Sequence, residues 1–503
     1  MKNLDRRSFL RSAGSVVVGT AAGPILLDVM SRGGLSAAQA AEHMRAPLPV
    51  GTPICVQITL DGGNDCLNTL VPVNDPWYYD TSYGHGALAL PAGSCLPLTN
   101  LPDYRLHPNL TWLANRWNSR FDVAFVLGIG ELTKADFSHF NSMKYWQTAD
   151  LSLLEPTGWM GRYNDAVHPG NPLSTVSLYD LRLEAVGSTS PTLVLYDTAN
   201  FSYSLPWYDT EAARAALEKM ATHVGGGFHE QAAKLISSTF DVSAQVTAAH
   251  DAAIDDGDYA YITEQLLQVA MLIRAGIPCQ TYATAFGTFD HHSGLLDNQA
   301  ACFTDLNEAL TKFFAALAGH PREQDVFVVI TSEFGRQVTA NENQGVDHGQ
   351  GGMAIVIGTR ATGGIFGEPP TLDPGGEDRP NRIWDALKPT TDFRRLWATV
   401  IDHLAGTSGV SDEVLRGRYP EFGFFKDPVA CGRLASSEGS VDVRAAWRGL
   451  LPLAAPVAAG ALLKRFRERA IQPSATRSVE RAGDPPEHVD CDCHSPHDSA
   501  PSA

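Results

Sequence analysis

Three apolar runs in this chain, residues 54–60, 278–285 and 326–331, stop at the same kind of place. The first runs into Asp61-Gly62-Gly63-Asn64-Asp65, the second leads to Asp290-His291-His292, and the third meets Ser332, Glu333 and Arg336. Unbroken apolarity rich in β-branched residues marks strands covered on both faces. The switch to acids, imidazoles and glycines marks their carboxyl ends, where open α/β sheets build sites. Residues 122–127 and 352–358 are further strand candidates. Between the runs lie helical periodicities at 107–120, 210–222, 230–253, 259–276, 298–319 and from Thr391 to about Leu404. In the fifth of these, Leu306, Leu310, Phe313, Phe314 and Leu317 share one face. Helix–strand alternation predicts one large α/β domain over 50–425, with a central mostly parallel sheet covered by helices on both faces. Residues 205–255 form a candidate helical insertion, and 157–208 give no firm pattern.

The two ends read differently. Arg6-Arg7, a modestly apolar stretch over 12–30 and Ala38-Gln39-Ala40 compose a twin-arginine export signal over residues 1–40. The alternative is an ordinary basic first helix. The signal predicts a periplasmic or secreted protein whose first partner is the Tat export machinery. Residues 436–503 form a C-terminal extension, with an apolar segment over 449–463 interrupted by Pro452 and Pro456. A spanning helix needs roughly 20 apolar residues, so no integral membrane span is expected. The polar tail carries Cys491, Cys493, His494 and His497. There are eight cysteines and no C-x-x-C; Cys55 and Cys279 fall inside strand runs and read as buried thiols.

Across 503 residues, 44% apolar and 19% charged, the composition is that of a globular protein. The net charge of −18 argues against non-specific nucleic-acid binding. It does not exclude a small anionic substrate, because bound cations reverse the local sign.

The candidate chemistry is a metal centre. Asp61, Asp290, His292, Glu333, Asp347 and His348 all stand at or just beyond strand ends. Carboxylate and imidazole donors without thiolate suit divalent zinc, manganese, magnesium or calcium. Two carboxylate-rich half-sites would accommodate two ions at ~4 Å. Ser138 stands before a helical stretch and reads either as a nucleophile or as a helix cap. His139 is a candidate proton donor or a supporting residue behind the ligands. Arg336 is a candidate clamp for an anionic oxygen, or a partner of Asp347.

The motifs LDGGNDCLNTLVP (60–72), SHFNSM (138–143), FDHHSG (289–294), TSEFGRQVTANENQGVDHG (331–349) and TDFR (391–394) resemble, in order, those of an exported bacterial family known as domain of unknown function 1501. That family is similar to the alkaline phosphatase and sulfatase superfamily. The resemblance implies a metal-dependent hydrolase fold, with Asp61 as the first-strand metal aspartate. It also implies that Asp290 and His292 stand for an Asp-Thr-His, here with His291 in the middle position. Glu333 takes the place of an Asp-His pair, so activity does not transfer by analogy. Two classes of function follow: an exported metal-dependent hydrolase of phosphate or sulfate esters, and a non-catalytic metal-containing envelope or binding protein. Ser138 separates them, because only the first needs an activated nucleophile.

Overall fold

The computed structural model describes residues 47–426 except 135, 170, 172, 191, 197–209, most of 223–258 and 380–385. The export signal, the C-terminal extension and most of the candidate insertion lie outside the described residues.

The main sheet contains β1 (Ile54–Asp61), β2 (Val123–Gly130), β3 (Thr175–Leu178), β4 (Leu193–Leu195), β5 (Thr281–Gly287), β6 (Val326–Thr331), β7 (Gly352–Gly358), β8 (Gly364–Gly367) and β9 (Thr391–Asp392). Its order is β8-β2-β7-β6-β1-β5-β3-β4, with β9 continuing the line of β8 beside β2. The three motif strands are immediate neighbours: Ile58 of β1 lies between Thr284 of β5 and Ile330 of β6. All pairings are parallel except those of β7, which runs antiparallel to both β2 and β6. An apolar run carries no direction, so this reversal was not readable from residues 352–358.

Alternating residues of each strand enter opposite cores, as the two-residue period requires. Val56, Ile58, Leu60, Val328, Ile330, Ile355 and Phe125 face the layer of α1 (Thr111–Arg120), α5 (Tyr261–Arg274) and α6 (Leu295–Leu317). Cys55, Phe327, Val329, Val356 and Val126 face α2 (His139–Thr148), α3 (Trp159–Val167) and α7 (Arg394–Ala405). Both faces are thus dry, which is why the strands read as unbroken apolar runs. Helix α4 (Thr210–Ala221) carries its own small apolar contact between Leu217 and Ile236. No helix among the described residues is long and apolar enough to cross a membrane. Cys55, Cys66, Cys95, Cys279 and Cys302 are free thiols, and Cys55 and Cys279 are fully buried as expected.

The reversal of β7 positions the site. β6 ends and β7 begins at the same sheet edge, so residues 332–351 arch over the carboxyl ends of β1 and β5. The first turn after β1 is pressed against the turn after β5. At Gly62, φ is +115° and an added Cβ would lie 2.5 Å from the Asp290 backbone nitrogen. Gly51, at φ +100°, has open space instead. Both alanine variants meet the backbone strain; only Gly62→Ala meets the collision. Gly62→Ala should cost about 3 kcal/mol or more in urea unfolding, well above Gly51→Ala. Equal costs would mean that the two turns are not in contact.

Glu131 follows β2 at the same edge and is buried, with burial raising its carboxyl from 4.5 to about 8. The folded state therefore holds its proton more tightly than the unfolded chain does. Stability from this group is complete below pH 4.5 and is lost as pH climbs towards 8. Glu131→Gln should therefore raise the Tm at pH 8 relative to wild type, with little effect at pH 4. An equal shift at both pH values would contradict the buried, neutral acid.

Candidate metal centre

Each element delivers its side chain from an end. Asp61 closes β1, Asp290 and His292 sit in the turn between β5 and α6, and Glu333 follows β6 by two residues. Asp347 and His348 lie on the returning limb of the 332–351 arch, whose two limbs pair at Arg336 and His348. His139 is the first residue of α2.

Three imidazoles and one carboxylate converge. The Nε2 atoms of His139 and His292 lie 3.0 and 2.9 Å from Nε2 of His348. Oδ1 of Asp290 is 3.5, 3.0 and 3.2 Å from Nε2 of His139, His292 and His348. His139, Asp290 and His348 form a set whose donor atoms all fall within 4.8 Å of one another, and His292 lies as close to Asp290 and His348.

The outer ring nitrogens decide the protonation. His139 Nδ1 faces Glu333 at 2.7 Å, His292 Nδ1 faces Asp347 at 2.7 Å, and His348 Nδ1 faces the Phe137 carbonyl at 2.7 Å. Each partner only accepts, so each neutral imidazole carries its proton on Nδ1 and turns a lone pair on Nε2 inward. Four acceptor atoms then crowd one point. A divalent cation satisfies all of them at once, and zinc at 2.0–2.1 Å would space tetrahedral donors about 3.3 Å apart. The donor set fits such an ion.

Electrostatics treat the histidines differently. Burial, helped by the Arg336 charge, lowers His348 and keeps it neutral. The hydrogen bond that His139 donates to the Glu333 carboxylate raises its pKa against burial. Burial pushes the Asp290 carboxyl up, but the hydrogen bond and charge of Arg336, with His292 and His139, bring it down to about 2. For Asp347, the hydrogen bonds of His292 and Asn341 similarly outweigh burial and lower it.

The expected ligands therefore occupy two layers. Asp290, His292 and His348 face the centre, and His139 joins them. Glu333 and Asp347 instead stand behind histidines. Glu333 is buried and accepts from His139, the Gly62 backbone N–H at 2.8 Å and the Ser332 hydroxyl at 3.2 Å. Asp61 lies apart from the compact set, held by both terminal nitrogens of Arg182 at 3.1 Å. Two carboxylate-rich half-sites are not what forms among the described residues.

Arg336 is almost fully buried. Its guanidinium donates to the carbonyls of Gly63 (2.6 Å), Val346 (3.0 Å), Phe289 (3.2 Å) and Gly62, and to Asp290 at 2.6 Å. It pairs with Asp290 rather than Asp347, and its donors are engaged by the protein. Ser138 occupies the N-cap position of α2 without a side-chain cap bond, and its own backbone N–H donates to Asp136 at 2.9 Å. Arg182 is a participant that the sequence did not signal; it lies in the patternless region before β4.

The comparisons with known proteins bear on this geometry only distantly. Among solved structures, Ps i-CgsB, determined with k-i-k-neocarrahexaose, is 11% identical over 73% of this chain and 74% of that one, with a TM-score of 0.33. The PsFucS1 sulfatase of Pseudoalteromonas sp. is 10% identical over 76% and 72%, with a TM-score of 0.32. The lipoteichoic acid synthase LtaP of Listeria monocytogenes is 9% identical over 78% and 81%, with a TM-score of 0.26. Likeness at this level assigns no activity. No curated protein matches the chain. The family model described as "protein of unknown function (DUF1501)" matches residues 157–416, which include Asp290, His292, Glu333, Asp347 and His348 but begin after Asp61 and His139. That is more than half of the chain, and the chain belongs to this family.

Proposed function

We propose that this protein is an exported, metal-dependent hydrolase of small phosphate or sulfate esters, with its ion held by His139, Asp290 and His348 and with His292 beside them. The observation that carries this reading is the inward convergence of imidazole lone pairs whose outer nitrogens are each fixed by an acceptor. Nitrogen-rich donors favour zinc over magnesium or calcium. When bound, the ion supplies Lewis-acid stabilisation of charge on an ester oxygen. Glu333 and Asp347 hold their imidazoles in the binding tautomer, and Arg336 holds Asp290 in place. Ser138 is the candidate nucleophile: it adjoins His139 at the mouth of α2, and its hydroxyl is not spent on a cap. The apolar run and twin arginines of residues 1–40 support export.

The second reading is a non-catalytic metal-containing envelope protein. It is favoured by one observation: among the described residues, no side-chain base is hydrogen-bonded to the Ser138 hydroxyl.

Purified protein should contain zinc or another divalent ion, and a chelator should lower the wild-type Tm. The same treatment should leave the Tm of a His139→Ala, His348→Ala variant unmoved. Equal shifts would place the ion elsewhere. Glu333→Gln keeps the shape but replaces a carboxylate with an amide whose oxygen accepts less strongly. Metal affinity should fall about 10–100-fold, the usual cost of losing such a supporting partner. Unchanged affinity would deny Glu333 that role. Ser138→Ala should abolish aryl phosphate or aryl sulfate hydrolysis while retaining metal. A metal-loaded wild type inert towards both ester classes would favour the second reading.

A further inference from the structure

With Arg336 buried and each guanidinium nitrogen bonded to the protein, an anionic substrate needs another cationic partner beside the centre. Arg182 is suitably placed. Its side chain is 10% exposed, Nε donates to the fully buried Glu184 at 2.8 Å, and Nη1 and Nη2 grip the two oxygens of Asp61, each at 3.1 Å. Asp61 is the last residue of β1, and the next backbone N–H binds Glu333, the partner of His139. The Arg182 fork is therefore tied to the histidine cluster through Asp61, the Gly62 N–H and Glu333.

The two residues that hold Arg182 are unlike each other. Glu184 is inaccessible and one of its oxygens, Oε2, has no hydrogen-bond partner, so it serves as a fixed counter-charge. Asp61 is 30% exposed and can turn to solvent. Its carboxylate presents two oxygens to a planar fork, the same geometry by which arginine binds phosphoryl and sulfuryl oxygens. Leu181, Tyr196 and Tyr261 are large apolar side chains left exposed on the elements around this fork.

We infer that Arg182 is the substrate-anchoring residue, that its Nη1/Nη2 fork binds a tetrahedral oxyanion, and that Asp61 is an internal, displaceable stand-in for that anion. This rests on the ester-hydrolase reading and names the residue that binds the anionic group. Glu184 pre-orients the guanidinium, so that only the outward pair of donors is exchanged. Because Asp61 competes for the fork, its removal strengthens anion binding.

The test uses chelator-treated full-length protein, so that no ion contributes, and titrates inorganic sulfate and inorganic phosphate by calorimetry. Asp61→Asn, which stays isosteric but loses the charge, should bind at least one of the two anions at least tenfold more tightly than wild type. Adding Arg182→Lys keeps a charge against Glu184 and removes the fork; it should abolish that gain. Thermal melts of each variant establish that it is folded. Should Arg182→Lys not fold, chemical-shift changes of the arginine side-chain N–H groups in Asp61→Asn serve instead, and a shift on sulfate or phosphate addition is expected. An Asp61→Asn protein that binds neither anion more tightly than wild type overturns the proposal, as does a gain that survives Arg182→Lys. Metal content of Arg182→Lys is measured separately and should match wild type. A chain that takes up no metal but shows the Asp61→Asn gain would refute the hydrolase reading and leave the anion site standing.

Discussion

A single buried cation ties the site together. The Arg336 guanidinium collects carbonyls from the turn after β1, the turn after β5 and the returning arch, and it ends on Asp290. A buried charge is tolerated only when its donors are met, and here peptide dipoles and one carboxylate meet them. The same contacts fix three loops to one another and lower the Asp290 carboxyl, which keeps that oxygen ionised near the histidines. Losing this arginine would leave several carbonyls and an acid unpaired at once, a cost of about 3–5 kcal/mol. The close approach at Gly62 is the steric half of the same arrangement.

The parts of the fold that were legible share a physical origin. β1, β5 and β6 are covered on both faces, so their apolar runs are continuous and their polar ends abrupt. That pattern located Asp61, Asp290 and Glu333 at one edge. The direction of β7 was not legible, although it is what brings Asp347 and His348 back to that edge. Strands β3 and β4, only 4 and 3 residues long, are too short to show a period, and Arg182 and Glu184 fall between them.

Which atom faces the centre is a matter of side-chain geometry and not of residue type. Glu333 and His139 were both visible as chemical candidates, but their order was not. An acid on a strand end and an imidazole on a helix start can stack either way. Burial settles it: Glu333 is enclosed against the Gly62 N–H, while His139 remains partly open. Ser138 shows the same limit, since its residue type suits a helix cap, yet its hydroxyl makes no cap bond.

In the proposed site, imidazole nitrogens face the ion with carboxylates behind them. X-ray absorption fine structure on the zinc-loaded protein measures this directly. The expected shell is dominated by nitrogen at about 2.0–2.1 Å, with the outer-ring scattering of two or more imidazoles. That imidazole signal should weaken in His139→Ala. An oxygen-only shell without imidazole scattering, or one unaltered by His139→Ala, would contradict it.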